Sequence, residues 1–159
     1  MRTSINNARV LSVCRLLLFA PLLAAPCCAA SIDETPPSEQ MIDDLEQRAS
    51  QAKPQEQCFI YAELVHKGTE LAGTQMLAGD TLRATSTLQR VRRYADLIHM
   101  NLAQDTKRLK NAELLLHHTT LRLGGYVQSA SADDREVLQS TLKRLDQVQS
   151  ELLMQVFRH

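Results

Sequence analysis

A seam of mostly apolar residues, spaced in alternating steps of three and four, runs through residues 80–123 and constrains the fold more than any other feature. Such a seam is typical of a helix that packs one side along its neighbours. Between Gly79 and Gly124 the segment contains no glycine and no proline. We therefore predict one long helix over residues 80–123, continuous or mildly bent at the charged stretch around Asp105. The seam consists of Leu88, Val91, Ala95, Ile98, Leu102, Asp105, Leu109, Ala112, Leu116, Thr119 and Leu123.

Helical spacing also marks the segments on both sides of this helix. A weaker first helix is predicted over residues 38–52, where few large apolar residues recur. Proline suits the first turn of a helix, glycine its end, and serine or aspartate its N-cap. Residues of these kinds that separate the predicted helices are Pro54, Gly79, Asp80, Gly124, Gly125 and Ser131. The sequence therefore predicts an all-α fold over residues 38–159, an elongated antiparallel helical bundle of three long helices plus a weaker N-terminal helix.

The first 30 residues have the pattern of a cleavable signal peptide. An apolar run at residues 16–25 follows a basic stretch without acids and is too short to span a bilayer. Cys28-Ala29-Ala30 offers the small residues that a signal peptidase accepts. We predict a signal peptide over residues 1–30 and an extended leader over residues 31–37. The mature protein is then periplasmic or secreted in a bacterial envelope, with no transmembrane segment.

The chain has four cysteines, and the predicted cleavage separates them. Cleavage after Ala30 removes the first three and leaves Cys58 alone in an oxidising compartment. Cys58 is then either a buried, inert thiol or one half of an intermolecular disulfide. Lipidation at Cys27 is a further alternative, although Pro26 is a poor fit directly before a lipidated cysteine.

The charge balance excludes some classes of partner. Removal of the export segment leaves 18 acidic residues against 15 basic ones. A nucleic-acid partner requires a basic face, and a polybasic membrane anchor requires a cluster of cations, so neither is predicted. The short basic stretch at residues 107–110 is interpreted as a solvated helix face, with docking of an acidic partner as the alternative.

Two carboxylate–histidine pairs are candidate metal ligands. Glu63 and His66 are three residues apart on the second helix. Asp96 and His99 have the same spacing on the long helix. Residues at this spacing share one helix face, and such pairs on facing helices build the metal sites of some four-helix bundles. Against a site, Ile98 rather than His99 lies on the apolar seam. The sequence contains no motif of a catalytic nucleophile, and no other cofactor is predicted.

Three stretches of the chain resemble small exported helical bacterial proteins, from soil bacteria, to which no function is assigned. They are Cys58–His66, Asp105–Leu115 and Leu145–Met154. The resemblance covers roughly residues 55–159. It implies export and a helical structure, and it implies no activity, ligand or site residue.

These features favour a non-enzymatic interaction or structural protein of the cell envelope that acts as a homodimer or with an envelope partner. The main reason is the long seam, which could exceed what one chain of this length can cover. Two alternatives stay open. One is a periplasmic metal-binding bundle that uses the two carboxylate–histidine pairs, and the other is a holdase-like envelope stress protein with an apolar groove.

Overall fold

Five helices make up the part of the chain that the structure, a computed structural model, describes, which is residues 37–102 and 108–158. They are α1 (Glu39–Gln51), α2 (Pro54–Leu77), α3 (Thr81–Asn101), α4 (Leu109–Ser129) and α5 (Ala132–Val156). These two ranges contain no strand, and the all-α prediction is confirmed. None of the five helices is both long enough and apolar enough to cross a membrane. The predicted signal peptide and residues 31–36 of the predicted leader lie outside the described residues.

Local signals set most of the helix ends. Three N-cap side chains each accept a hydrogen bond from the backbone N–H three residues further on, and they are Ser38, Asp80 and Ser131. Pro54 opens α2, where its missing N–H costs no helical hydrogen bond. Gly79 follows α2 with φ +77°, a conformation that favours glycine. The first, second and last predicted helices therefore start close to their expected positions.

The prediction of one continuous helix over residues 80–123 is wrong, because this segment forms α3 and α4. α3 ends at Asn101, and α4 begins after Arg108, whose φ of 62° lies in the left-handed region. The interruption lets Leu116 and Leu123 become fully buried within the same bundle as α3. Burial of a large apolar side chain stabilises by roughly 1.5–3 kcal/mol. Packing over a long range therefore outweighs the local preference for an uninterrupted helix.

α4 also continues beyond Gly124 and Gly125, its predicted end, as far as Ser129. Each glycine in a helix interior costs about 1 kcal/mol relative to alanine, which weakens a helix without ending it. Tyr126 and Val127 pack against the core and hold this last turn.

Contacts along α2 show that it is antiparallel to α3 and parallel to α4. As residue numbers rise along α2, the numbers of its partners fall on α3 and rise on α4. The α2–α3 contacts include Gly68 with Val91 and Gln75 with Thr87, and the α2–α4 contacts include His66 with Thr119 and Gly73 with Tyr126.

α5 completes the bundle by packing against both α3 and α4. Its Arg144 and Glu151 bond to Asp96 and His99, so α5 is parallel to α3. α2 also contacts both α3 and α4, whereas α3 and α4 do not approach each other within the described ranges. Around the core the order is α2, α3, α5, α4. A helical bundle is confirmed, and it has four long helices where the sequence predicted three.

The described residues of the apolar seam lie in or against the core of this bundle. Its fully buried large side chains come from all four long helices and include Leu64, Leu88, Val91, Ile98, Leu116, Leu123, Leu138, Leu145 and Leu152. Over its described residues the seam is covered by α2 and α5, contrary to the expectation that it exceeds what one chain covers, whereas its Asp105 lies outside the described residues.

α1 packs on the outer surface of α2 and is tied to α3 by polar contacts. Its Ile42 is almost completely buried. The Arg90 guanidinium of α3 lies 2.8 Å from an Asp43 carboxylate oxygen and 3.1 Å from one of Glu46. The Tyr94 hydroxyl donates a hydrogen bond to the same Glu46. α1 is thus linked to α3 by side chains, whereas its close backbone contacts are with α2.

Candidate functional site: a groove between α1 and α4

The first carboxylate–histidine pair faces α1 and α4. Glu63 forms an ion pair with Arg48 of α1. The His66 Nδ1 atom lies 3.0 Å from the Thr119 hydroxyl of α4, and its Nε2 atom lies 3.5 Å from a Glu70 carboxylate oxygen. Both members of the pair therefore have protein partners outside α3.

The second pair faces α5. The Arg144 Nε atom donates to Asp96 over 2.7 Å, and the His99 Nδ1 atom lies 2.5 Å from a Glu151 carboxylate oxygen. The fold does not bring the two predicted pairs together. In the described part of the chain, no group of three or more histidine, cysteine, aspartate or glutamate side chains is placed to share a metal ion.

The Cys58 side chain is completely buried in the core. Burial raises the pKa of its thiol to about 12, because the thiolate would lose its hydration. A second chain cannot reach this sulfur atom without unfolding of the bundle, so the fold favours the buried alternative over the intermolecular disulfide. A thiol of this kind is also inert as a nucleophile.

A groove runs along α2, with α1 as one wall and α4 as the other. Met41 and Leu45 line the α1 wall, Phe59 lies on the floor, and Leu115 lines the α4 wall. The two α1 residues and Leu115 are only partly buried. The groove thus presents partly exposed apolar side chains of α1 and α4 to solvent, above the buried Phe59 of α2.

Two hollows make up the groove, and Phe59 and Glu63 line both of them. The apolar hollow between Met41, Leu45 and Leu115 has a volume of about 360 Å³. The second hollow, of about 530 Å³, lies nearer the start of α2 and extends to Arg108. Both volumes fall in the range of about 300–1,000 Å³ that small-molecule sites occupy.

Arg108 occupies the end of the second hollow in an unusual backbone conformation. Its φ of 62° is the only positive value among the described non-glycine residues. Its guanidinium carbon lies 3.5 Å from the centre of the Phe59 ring, an arrangement in which a cation is attracted to the ring face. Arg108 is exposed and forms no ion pair with a carboxylate of the described residues. Within the described ranges, Arg108 is therefore a cation of the groove without an ion-pair partner.

The other cationic side chains along the groove have carboxylate partners, and one carboxylate of the groove has no cationic partner. Arg48 is paired with Glu63. The Lys67 ammonium lies 3.2 Å from a Glu70 carboxylate oxygen. Glu56 lines the same hollow as Arg108 without an ion pair in the described part of the chain.

A polar network on the α4 side of α2 fixes the far end of the groove. Glu70 is nearly buried and accepts hydrogen bonds from Lys67 and from Arg122 of α4. The Thr119 hydroxyl donates to the Leu115 carbonyl oxygen over 2.7 Å, so it accepts from His66 Nδ1. This arrangement uses His66 to hold α2 against α4.

Comparisons of the chain with protein-family models, with curated proteins and with solved structures gave no match.

Proposed function

We propose that the chain is a non-enzymatic interaction protein of the bacterial envelope, and that the groove between α1 and α4 is its binding surface. The observation that carries this proposal is the apolar lining of the groove by Met41, Leu45, Phe59 and Leu115, which no other described helix covers. An apolar concave surface with a few polar groups at its rim is the usual form of a binding site.

Two sequence features support the envelope location. The first 30 residues have the pattern of a signal peptide, and three stretches resemble small exported helical proteins. The buried thiol of Cys58 is not available as a nucleophile. The partner on this proposal is an envelope molecule or a second copy of the chain.

Site-specific photocrosslinking in bacteria that export the protein tests this proposal. A photoreactive amino acid at position 115 lies in the groove wall, whereas the same group at position 114 lies on an exposed part of α4, since Leu114 is 55% exposed and does not line the groove. We expect a defined crosslinked product from position 115 alone, and its mass distinguishes a homodimer from another partner. The same products from both positions, or none from either, would overturn the proposal.

A further inference from the structure

We propose that the groove binds a single-chain anionic amphiphile, such as a fatty-acid carboxylate, with the chain over Phe59 and the head group at Arg108. This inference rests on the proposed function and names the class of molecule that occupies the groove.

The apolar part of such a ligand matches the hollow beside Phe59. Met41, Leu45 and Leu115 surround it, and its rim carries Lys67 and His66. The unbranched side chain of methionine adapts to irregular apolar surfaces, which suits a flexible acyl chain. From Phe59 to Lys67 the floor extends for about 12 Å at the helical rise of α2.

The charged part of the ligand matches Arg108. A guanidinium offers a planar set of donors that fits carboxylate and phosphate oxygens. Because it lies over the Phe59 ring, the cation adjoins the apolar floor directly.

The distribution of charge favours an amphiphile over an amphipathic helix. Arg48 and Lys67 are paired with Glu63 and Glu70. Among the described residues, Arg108 is a cation without an ion pair beside an apolar floor, and Glu56 is an unpaired anion in the same hollow. A ligand with one negative group at the end of an apolar chain complements this pattern, whereas a helix would bring several charges along its length. Glu56 opposes the head group, and its removal should therefore strengthen binding.

Binding of dodecanoate to the purified protein, measured by calorimetry below the micellar concentration, tests this inference. Dodecan-1-ol and dodecyltrimethylammonium serve as neutral and cationic probes of the same chain length. We expect one dodecanoate per chain, bound about tenfold more tightly than either control, as loss of one charge-assisted hydrogen bond implies.

Four substitutions locate the site. Arg108→Gln should weaken dodecanoate binding about tenfold and leave dodecan-1-ol unaffected. Leu115→Asp should abolish the binding of dodecanoate and of dodecan-1-ol. Leu114→Asp, on the exposed surface, should leave the affinity for both probes unchanged. Glu56→Gln should tighten dodecanoate binding. Circular dichroism of each variant confirms that the bundle is folded.

Three outcomes would overturn the inference: equal binding of the three probes, dodecanoate binding that survives Leu115→Asp in a folded variant, or no binding of dodecanoate. If dodecanoate does not bind while position 115 still crosslinks to a protein, the proposed interaction function is retained and only the amphiphile ligand is rejected. If dodecanoate binds and position 115 crosslinks to no protein, the amphiphile is itself the partner in the groove, and a protein partner at this surface is excluded.

Discussion

The Arg108 guanidinium lies 3.5 Å above the Phe59 ring, and this contact joins the start of α4 to the first half of α2. A cation over an aromatic face contributes about 0.5–2 kcal/mol, depending on how far it is desolvated. The left-handed conformation of a non-glycine residue costs about 1–2 kcal/mol. The two effects are similar in size and opposite in sign, so Arg108 is close to neutral for folding.

Two substitutions of Arg108 should therefore distinguish how much the strained backbone and the contact with Phe59 each contribute to the free energy of unfolding. Arg108→Ala keeps the strained conformation and loses the contact with Phe59, whereas Arg108→Gly loses the contact and relieves the strain. We expect the glycine variant to be more stable than the alanine variant by about 1 kcal/mol. Urea unfolding of both variants measures this difference, and an alanine variant of equal or greater stability would contradict it.

The tight packing of Val91 of α3 against α2 depends on Gly68. A Cβ atom at this position would lie 2.8 Å from the Cγ2 atom of Val91, a fully buried side chain with little rotamer freedom. We expect Gly68→Ala to destabilise the bundle by about 1–2 kcal/mol, because overpacking outweighs the better helix propensity of alanine.

Gly125 provides the matched control in thermal or urea unfolding. A Cβ atom at Gly125 meets no atom within 4 Å, so Gly125→Ala should stabilise by about 0.5–1 kcal/mol through helix propensity alone. If the free energy of unfolding changes in the same direction in the Gly68 and Gly125 variants, the contact with Val91 does not limit the packing of α2.

The Cys58 thiol should be unreactive in the folded protein. Its pKa is raised to about 12 by burial, so the thiol is protonated and shielded at pH 8. We expect no modification by a thiol reagent under native conditions, and one reactive thiol per chain after unfolding of protein cleaved after Ala30. Rapid reaction of the native protein, or a dimer that reductant separates, would disprove this prediction.

Alkaline stability should depend on Tyr94, which ties α3 to α1. Burial, followed by its hydrogen bond to Glu46, raises the pKa of the Tyr94 phenol well above its ordinary value of about 10. In the unfolded chain this phenol loses its proton above about pH 10, whereas in the folded chain it keeps the proton. The stabilising contribution of Tyr94 is therefore present below pH 10 and is lost as the pH rises further.

Tyr94→Phe should lower the free energy of unfolding at pH 7 by about 1 kcal/mol, since the hydrogen bond to Glu46 is lost. Between pH 9 and about pH 11 the variant should lose less stability than the wild type. Urea unfolding at several pH values compares the two slopes. Parallel slopes would indicate that the phenol ionises equally easily in the folded and unfolded states.

Much of the fold could be predicted because caps and apolar spacing are local signals. Ser38, Pro54, Asp80 and Ser131 mark the starts of helices in the sequence, and the structure has helices there. The interruption at Arg108 carries no such mark, because neither glycine nor proline occurs in that segment. It depends on burial of α4 between α2 and α5, which only the assembled bundle provides.

The groove could not be predicted for a similar reason. Apolar spacing places Met41 and Leu45 on one face of the first helix, but it does not show that this face leaves part of α2 uncovered. Phe59 lies between Cys58 and Ile60 in a helix that contacts three others. Because such a helix has apolar residues on nearly every side, its sequence does not indicate which neighbour each of them faces. The predicted metal ligands share helix faces as expected, yet their faces meet different neighbours.

In the described ranges the backbones of α3 and α4 do not come close, so the bundle consists of two antiparallel hairpins, α2–α3 and α4–α5. The core contains side chains from both hairpins, which meet where α2 packs on α4 and α3 packs on α5. A chain cut between residues 102 and 108 would therefore give two fragments, each of which exposes the apolar face that packs against the other. Each would be incomplete alone, and the two together would reassemble as a noncovalent pair.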